Sequence, residues 1–269
     1  MAVSAQLKQL IDAAAPLWAG EAEVFTTYWD APQRSRDSDR RWLAYQCSKE
    51  IWGSGISGSK GIFLEPAEQL VAAFPKIDTE IDRHEVLEIA EGLWAEFAHY
   101  CAFADAYDAL ALPGEPKMNP HAVKTSWPED VALTELRYAH KRDHPKLGMR
   151  ATRFTEGGYC TLFSEGMKLE DRTDGPHGRA NGLIAEACRR VYDDEFGHML
   201  KGIVGLDVEG LSAAEWQALA DLSLAQLRLR IRMRNAQFGY PLSDARVAAI
   251  AAGACAPLAF DYAKARLAA

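Results

Sequence analysis

Glutamate followed three residues later by histidine occurs twice in the 269-residue chain, as Glu96-x-x-His99 and as Glu195-x-x-His198. Residues three apart on a helix share a face, so each carboxylate and its imidazole can reach one common cation. Spacing alone carries little weight, because with 20 Glu and 7 His about 0.5 such pairs arise by chance. Helical phase carries more. Ile184, Cys188, Val191, Glu195 and His198 lie on one otherwise apolar stripe, and Ile89, Leu93, Glu96, His99 and Phe103 form a second stripe of the same kind. Asp193 falls off the first stripe, while Asp194, four residues before His198, stays a fallback ligand. A carboxylate turned into a core must be paired, hydrogen-bonded or bound to metal. Either each Glu bonds its own His or a buried Arg, or the two pairs hold ions.

The elements that position these residues read as helices throughout. No region offers two alternating strands joined by a tight turn. Helices are expected from about Ser4 to Tyr28, Asp37 to Trp52, and Glu65 to Phe74, the last ending at Pro75. A long helix then starts near Asp78 as N-cap and runs to about Leu112. After the proline-rich excursion 113–128, helix runs from Pro128 to a break at Pro145 and on to about Leu169. The polar run 170–182 is a loop, followed by helix from about Gly182 to Ile203. A capping box, Ser212-Ala-Ala-Glu215, opens a helix to about Phe238, and Ser243 caps the last one. The run GSGISGSKG, residues 53–61, is linker chemistry. It lacks the Lys-Ser/Thr pair and preceding strand of a phosphate loop. The whole reads as one all-helical domain over 1–269, with a metal-binding core at about 78–205.

If 170–181 joins two antiparallel helices, Glu195 faces the neighbourhood of Glu156, on a stripe with Met149, Thr152, Tyr159 and Phe163. Gly157 and Gly158 leave room beside it for a close helix, a substrate or dioxygen. Glu165 is half a turn out of phase and is expected to face away.

Glu96-x-x-His99, Glu156 and Glu195-x-x-His198 resemble the ligand set of ferritin-like non-haem di-iron carboxylate oxidases and oxygenases, in which two helices give Glu-x-x-His and two give a lone Glu. The resemblance spans about residues 78–205 and supplies five of six ligands. The sixth is missing, with Glu21, Glu23, Glu50 and Glu65 as upstream candidates. The haem-oxygenase-like di-iron oxidases are similar in length and ligand order. That family commonly adds a carboxylate one turn before the first Glu and a histidine one turn before the last acid, where this chain has Gly92 and Val191. What the resemblance implies is an all-α bundle with a ferritin-like di-iron core and extra helices, or the haem-oxygenase-like alternative. It further implies two iron ions (manganese as the substitute), dioxygen as co-substrate, and Glu156 as bridging, catalytic carboxylate. The implied reaction is hydroxylation, desaturation, N-oxygenation or C–C cleavage of a small organic substrate, with an electron donor and a homodimer as further expectations. Oxygen-rich sites with one imidazole per ion suit iron or manganese better than zinc. An iron-storage protein without organic substrate and a metal-free scaffold with Arg-paired acids are the alternatives.

Composition narrows the partners. A net charge of −8 and pI near 5.4 oppose nucleic acid and anionic membranes, which require clustered Lys and Arg. No stretch approaches the ~20 apolar residues of a membrane span, and the N-terminus lacks signal-peptide layout. Five scattered cysteines without a C-x-x-C fit a reducing, cytoplasmic setting. Arg228, Arg230, Arg232 and Arg234 divide on a helix into two i,i+4 pairs, of which one can face inward to hold a carboxylate, although a solvated face is the expectation.

Overall fold

The computed structural model describes residues 4–53, 60–123, 126–155, 161–208 and 210–262, of which 193–194, 196–204 and 207–208 enter as backbone only. The described residues form ten α-helices and no strand. α1 (Ala5–Asp30) starts where the Ser4 hydroxyl accepts from the Leu7 amide at 3.0 Å. α2 (Arg36–Trp52) opens on a reciprocal box between Ser35 and Ser38. α3 (Leu64–Ala73) gives way to a 3-10 turn, Phe74–Lys76, as Pro75 removes a backbone donor.

α4 (Arg83–Ala109) begins later than the sequence predicts. Asp82, not Asp78, is its N-cap, accepting from the His84 amide at 2.7 Å. Asp78 sits at φ 61° and binds the Arg83 guanidinium through both carboxylate oxygens, at 2.8 and 2.7 Å. The run from Pro128 breaks at Pro145, between α5 (Pro128–Asp143) and α6 (Gly148–Thr155), and beyond 156–160, which lie outside the described residues, α7 (Thr161–Met167) leads into a 3-10 turn at Lys168–Arg172. Pro145 disfavours helical backbone at His144, which lies at φ −131°, ψ 68°. α8 (Gly178–Val204) starts a turn earlier than Gly182. α9 (Ala213–Gln237) opens on the Ser212–Glu215 capping box, and α10 (Asp244–Ala251) on Ser243.

α4 packs between α2 and α8; α7 and α6 also lie on α8, and α9 packs against α1, α5 and α6. The centre is aromatic. Trp18, Phe25, Trp42, Phe103, Phe154 and Phe238 are all fully buried. Phe238 stacks on Trp42 at 4.9 Å and meets Phe25 and Tyr28 edge-on at 5.0 and 5.2 Å, tying the end of α9 to α1 and α2. At Gly166 a Cβ would fall 2.3 Å from Cys188 Sγ, so the absence of a side chain is what lets α7 and α8 approach. None of the described helices is long and apolar enough to cross a membrane.

Candidate metal centre

Each of α2, α4 and α8 turns an acid toward one point. On α2 the buried stripe runs Asp39, Trp42, Leu43, Gln46, Cys47, Glu50, so Glu50 continues the core face at the helix's last turn. On α4 His99 is buried, and Glu96 is half-buried with a third of its side chain exposed. On α8 Ile184, Cys188 and Val191 are fully buried, and the stripe they begin ends on Glu195.

One ligand atom from each of Glu50, Glu96 and His99 lies within 4.8 Å of the other two. His99 Nδ1 is 4.0 Å from Glu96 Oε2 and 3.6 Å from Glu195 Oε1. The acid of α8 therefore lies beside the imidazole of α4. Two donors on one ion with bonds of about 2.1 Å lie no more than about 4.2 Å apart. The two His99 separations fall inside that limit, and the Glu50 trio needs only a small side-chain adjustment to meet it. The cluster itself is two carboxylates and one imidazole, with the Glu195 carboxylate beside the imidazole, and such an oxygen-rich donor set fits ferrous iron or manganese.

Of the four upstream acids, only Glu50 is part of this cluster. Glu21 accepts from Arg230 Nε at 3.0 and 2.9 Å and from Arg234 Nε at 3.2 Å, with all three residues buried. Glu23 pairs with Arg246 at 2.6 Å, and Glu65 accepts from the Lys60 amide on the surface. Glu165 binds Lys168 at 2.6 Å. Glu156, Gly157, Gly158 and Tyr159 lie outside the described residues, and so do the side chains of His198, Asp193 and Asp194.

The arginine run of α9 departs from the expected solvated face. Arg228 and Arg232 are exposed, whereas Arg230 and Arg234 point inward. They neutralise Glu21 and reach further. Arg234 Nη1 donates to Gln46 Oε1 at 3.0 Å, and Gln46 Nε2 donates to Glu50 Oε1 at 2.5 Å. Gln237 joins the same chain through Gln46 and Arg234. Burial pushes Arg234 down to about 10, still well above neutrality, so it remains a cation. Burial also depresses the Lys49 ammonium, against the pull of Asp130 at 2.5 Å.

A cavity of about 160 Å³ adjoins the cluster. Glu50, Glu96 and Glu195 line it together with Lys49, Arg137, Arg230 and Arg234. His99 also lines a second cavity, about 460 Å³, between Trp94, Phe97 and Cys101 of α4 and Arg190 of α8.

Comparison with protein-family models gives no match, and neither curated proteins nor solved structures give one. The site therefore rests on its own geometry and chemistry.

Glu50 was within reach of the sequence. The phase rule that selects Glu195 over Asp193 also selects Glu50, which follows Trp42, Leu43, Gln46 and Cys47 at helical spacing. The same rule selects Glu21, after Trp18. The inward arginine pair on α9 is what separates the two.

Proposed function

We propose that the protein is a dioxygen-dependent non-haem di-iron oxidase or oxygenase built on a ferritin-like bundle. The observation that supports this most is the approach of Glu50 to Glu96 and His99. With Glu50 added, the candidate donors read in chain order Glu50, Glu96-x-x-His99, Glu156, Glu195-x-x-His198. A lone Glu from each of two helices and Glu-x-x-His from each of two others is the donor pattern of ferritin-like di-metal carboxylate proteins. The haem-oxygenase-like alternative commonly has a carboxylate and a histidine where this chain has Gly92 and Val191, and the ferritin-like order is preferred on that ground.

Glu50, Glu96 and His99 would hold one ion, with Glu195 beside His99, and Glu156 and His198 are the residues that would complete a second. Bound ferrous iron supplies the electrons and the open coordination position through which dioxygen is activated. The chain's own contribution is positional. Gln46 fixes the Glu50 carboxylate through its amide, and Arg234 fixes Gln46, so the acid is oriented from behind. Arg230 and Arg234 both bind the Glu21 carboxylate, which fixes two guanidinium groups and one carboxylate next to the site. Leu133, Phe163 and Met233 give the adjoining cavity part of its apolar wall.

The test is anaerobic reconstitution of the apoprotein with ferrous iron, a count of bound iron, and then dioxygen consumption with candidate substrates. The expected result is between one and two irons per chain, reduced by Glu156→Ala and by Glu195→Ala. Fewer than one iron per chain, unchanged by these variants, would sink the proposal. Oxidation of many irons per chain without organic substrate would favour storage instead.

A further inference from the structure

Away from the metal centre, the last turns of α9, the turn that follows and the start of α10 enclose with α5 a cavity of about 300 Å³. None of the candidate metal donors is among the described residues that line it. Hydrogen bonds fix its frame. The buried Asn235 side chain donates from Nδ2 to the Leu242 carbonyl and accepts at Oδ1 from the Leu242 amide, both at 3.0 Å. Between these two residues the chain turns through Gly239 and Tyr240, both left-handed, at φ 78° and 60°. A bulky residue seldom adopts that backbone, and residues so strained cluster at ligand sites. The Tyr240 amide, donating to the Asn235 carbonyl at 2.7 Å, holds it there. As a result the Tyr240 ring spans from the turn to α5, where its hydroxyl donates to Glu129 Oε1 at 3.0 Å.

The charges around this cavity are not matched to one another. Arg232, Asp244 and Glu129 all line it. Arg232 and Asp244 do not pair with each other, and among the described residues neither has a hydrogen-bond or ion-pair partner elsewhere. Glu129 engages Tyr240 through one oxygen, and the other, Oε2, is buried without a hydrogen-bond partner. A buried carboxylate oxygen is costly until a donor reaches it. Two acids and one guanidinium around one small space suit a ligand that carries both signs of charge. Its ammonium would face Asp244 and Glu129, and its carboxylate would meet the planar fork of Arg232. Val247 and Ala248 supply an apolar wall beside these groups, and the volume lies at the small end of ligand pockets. From this arrangement we infer that the cavity binds a free α-amino acid with an aliphatic side chain. The inference goes beyond the metal reading and does not depend on it.

The experiment titrates the full-length protein, by calorimetry, with L-leucine, with isoamylamine, which lacks the carboxylate, and with isocaproate, which lacks the amine. A hydrogen bond to a charged group changes affinity by about tenfold, so leucine is expected to bind about tenfold more tightly than either analogue. Arg232→Gln should bring leucine down to the affinity of isoamylamine and leave isoamylamine unchanged. Asp244→Asn should weaken leucine and isoamylamine and leave isocaproate unchanged. Both side chains are exposed, so the variants are expected to keep the wild-type melting temperature, and the comparison of the three ligands on the wild type needs no variant at all. Leucine binding no more tightly than isoamylamine would overturn the inference in favour of a simple amine site. Equal binding of leucine and isocaproate would overturn it in favour of a general anion site, and no binding at millimolar leucine would remove the site altogether.

Discussion

The residues of the centre differ in what holds them, and that difference is testable residue by residue. Glu50 is oriented by a relay from Arg234 through Gln46. Partners that orient a metal ligand typically change metal affinity 10–100-fold when removed. Gln46→Leu should therefore weaken ferrous or manganous binding by about that factor, measured by competition with a chromogenic chelator, while thermal stability is kept. An unchanged affinity would make the relay purely structural. Glu21 is a different case, since its charge is buried and balanced by two arginines. Removing one partner of a buried pair costs about 3–5 kcal/mol, because the remaining charge is left uncompensated. Arg234→Met is expected to lose stability on that scale in urea denaturation. A loss below about 1 kcal/mol would mean that Arg230 alone satisfies Glu21. Five of the six candidate donors were read from the sequence, four as two Glu-x-x-His pairs and Glu156 from the pairing of helices across the 170–181 loop. Glu50 stayed open because phase cannot tell an acid facing a metal from one facing an arginine.

The elements were legible where their signals are local. Ser212 and Glu215, and Ser243, mark helix starts that the structure places at those residues. Ser212→Ala should lower stability by about 1 kcal/mol, because it removes the acceptor for the Glu215 amide. Asp78 misled for a physical reason. It has the chemistry of a cap, but its carboxylate is bound by Arg83 and its backbone is left-handed, which moves the start of α4 to Asp82. The path of the Pro128–Leu169 run was only half legible. Pro145 announces one break, whereas the contact that fixes α7 against α8 depends on Gly166 meeting Cys188, a tertiary relation with no local signature. At the end of α9, Phe238 joins three helices through ring contacts. Phe238→Ala is expected to cost about 3–5 kcal/mol, read from the midpoint of chemical unfolding.

At the scale of the whole molecule, all-helical architecture followed from periodicity, and the inward pair of arginines followed only from packing. Charge also sets how stability varies with pH. Glu115 is drawn down to about 2, first by its hydrogen bond from Arg36, and Glu215 to about 2, first by Lys146. A carboxyl whose folded pKa is depressed stabilises above its unfolded value, near 4.3, and that contribution is lost as pH falls toward 2. Burial raises the Cys47 and Cys188 thiols, so their contribution is present below their unfolded value, near 8.5, and is lost as pH climbs past it. The melting temperature should therefore plateau between about pH 5 and 8 and fall on both sides. Glu115→Gln should flatten the acid side, and an unaltered acid limb in that variant would remove Glu115 from the explanation.

The claim on which the account turns is that Glu50 belongs to the metal centre while its neighbours in sequence do not. Anaerobic equilibrium dialysis against ferrous iron, run on the wild type, Glu50→Gln and Glu65→Gln, tests it directly. The account predicts at least one iron per chain for the wild type and for Glu65→Gln, and affinity lowered at least tenfold in Glu50→Gln. Wild-type binding below one iron per chain, or a Glu50→Gln protein that binds iron as the wild type does, would contradict it.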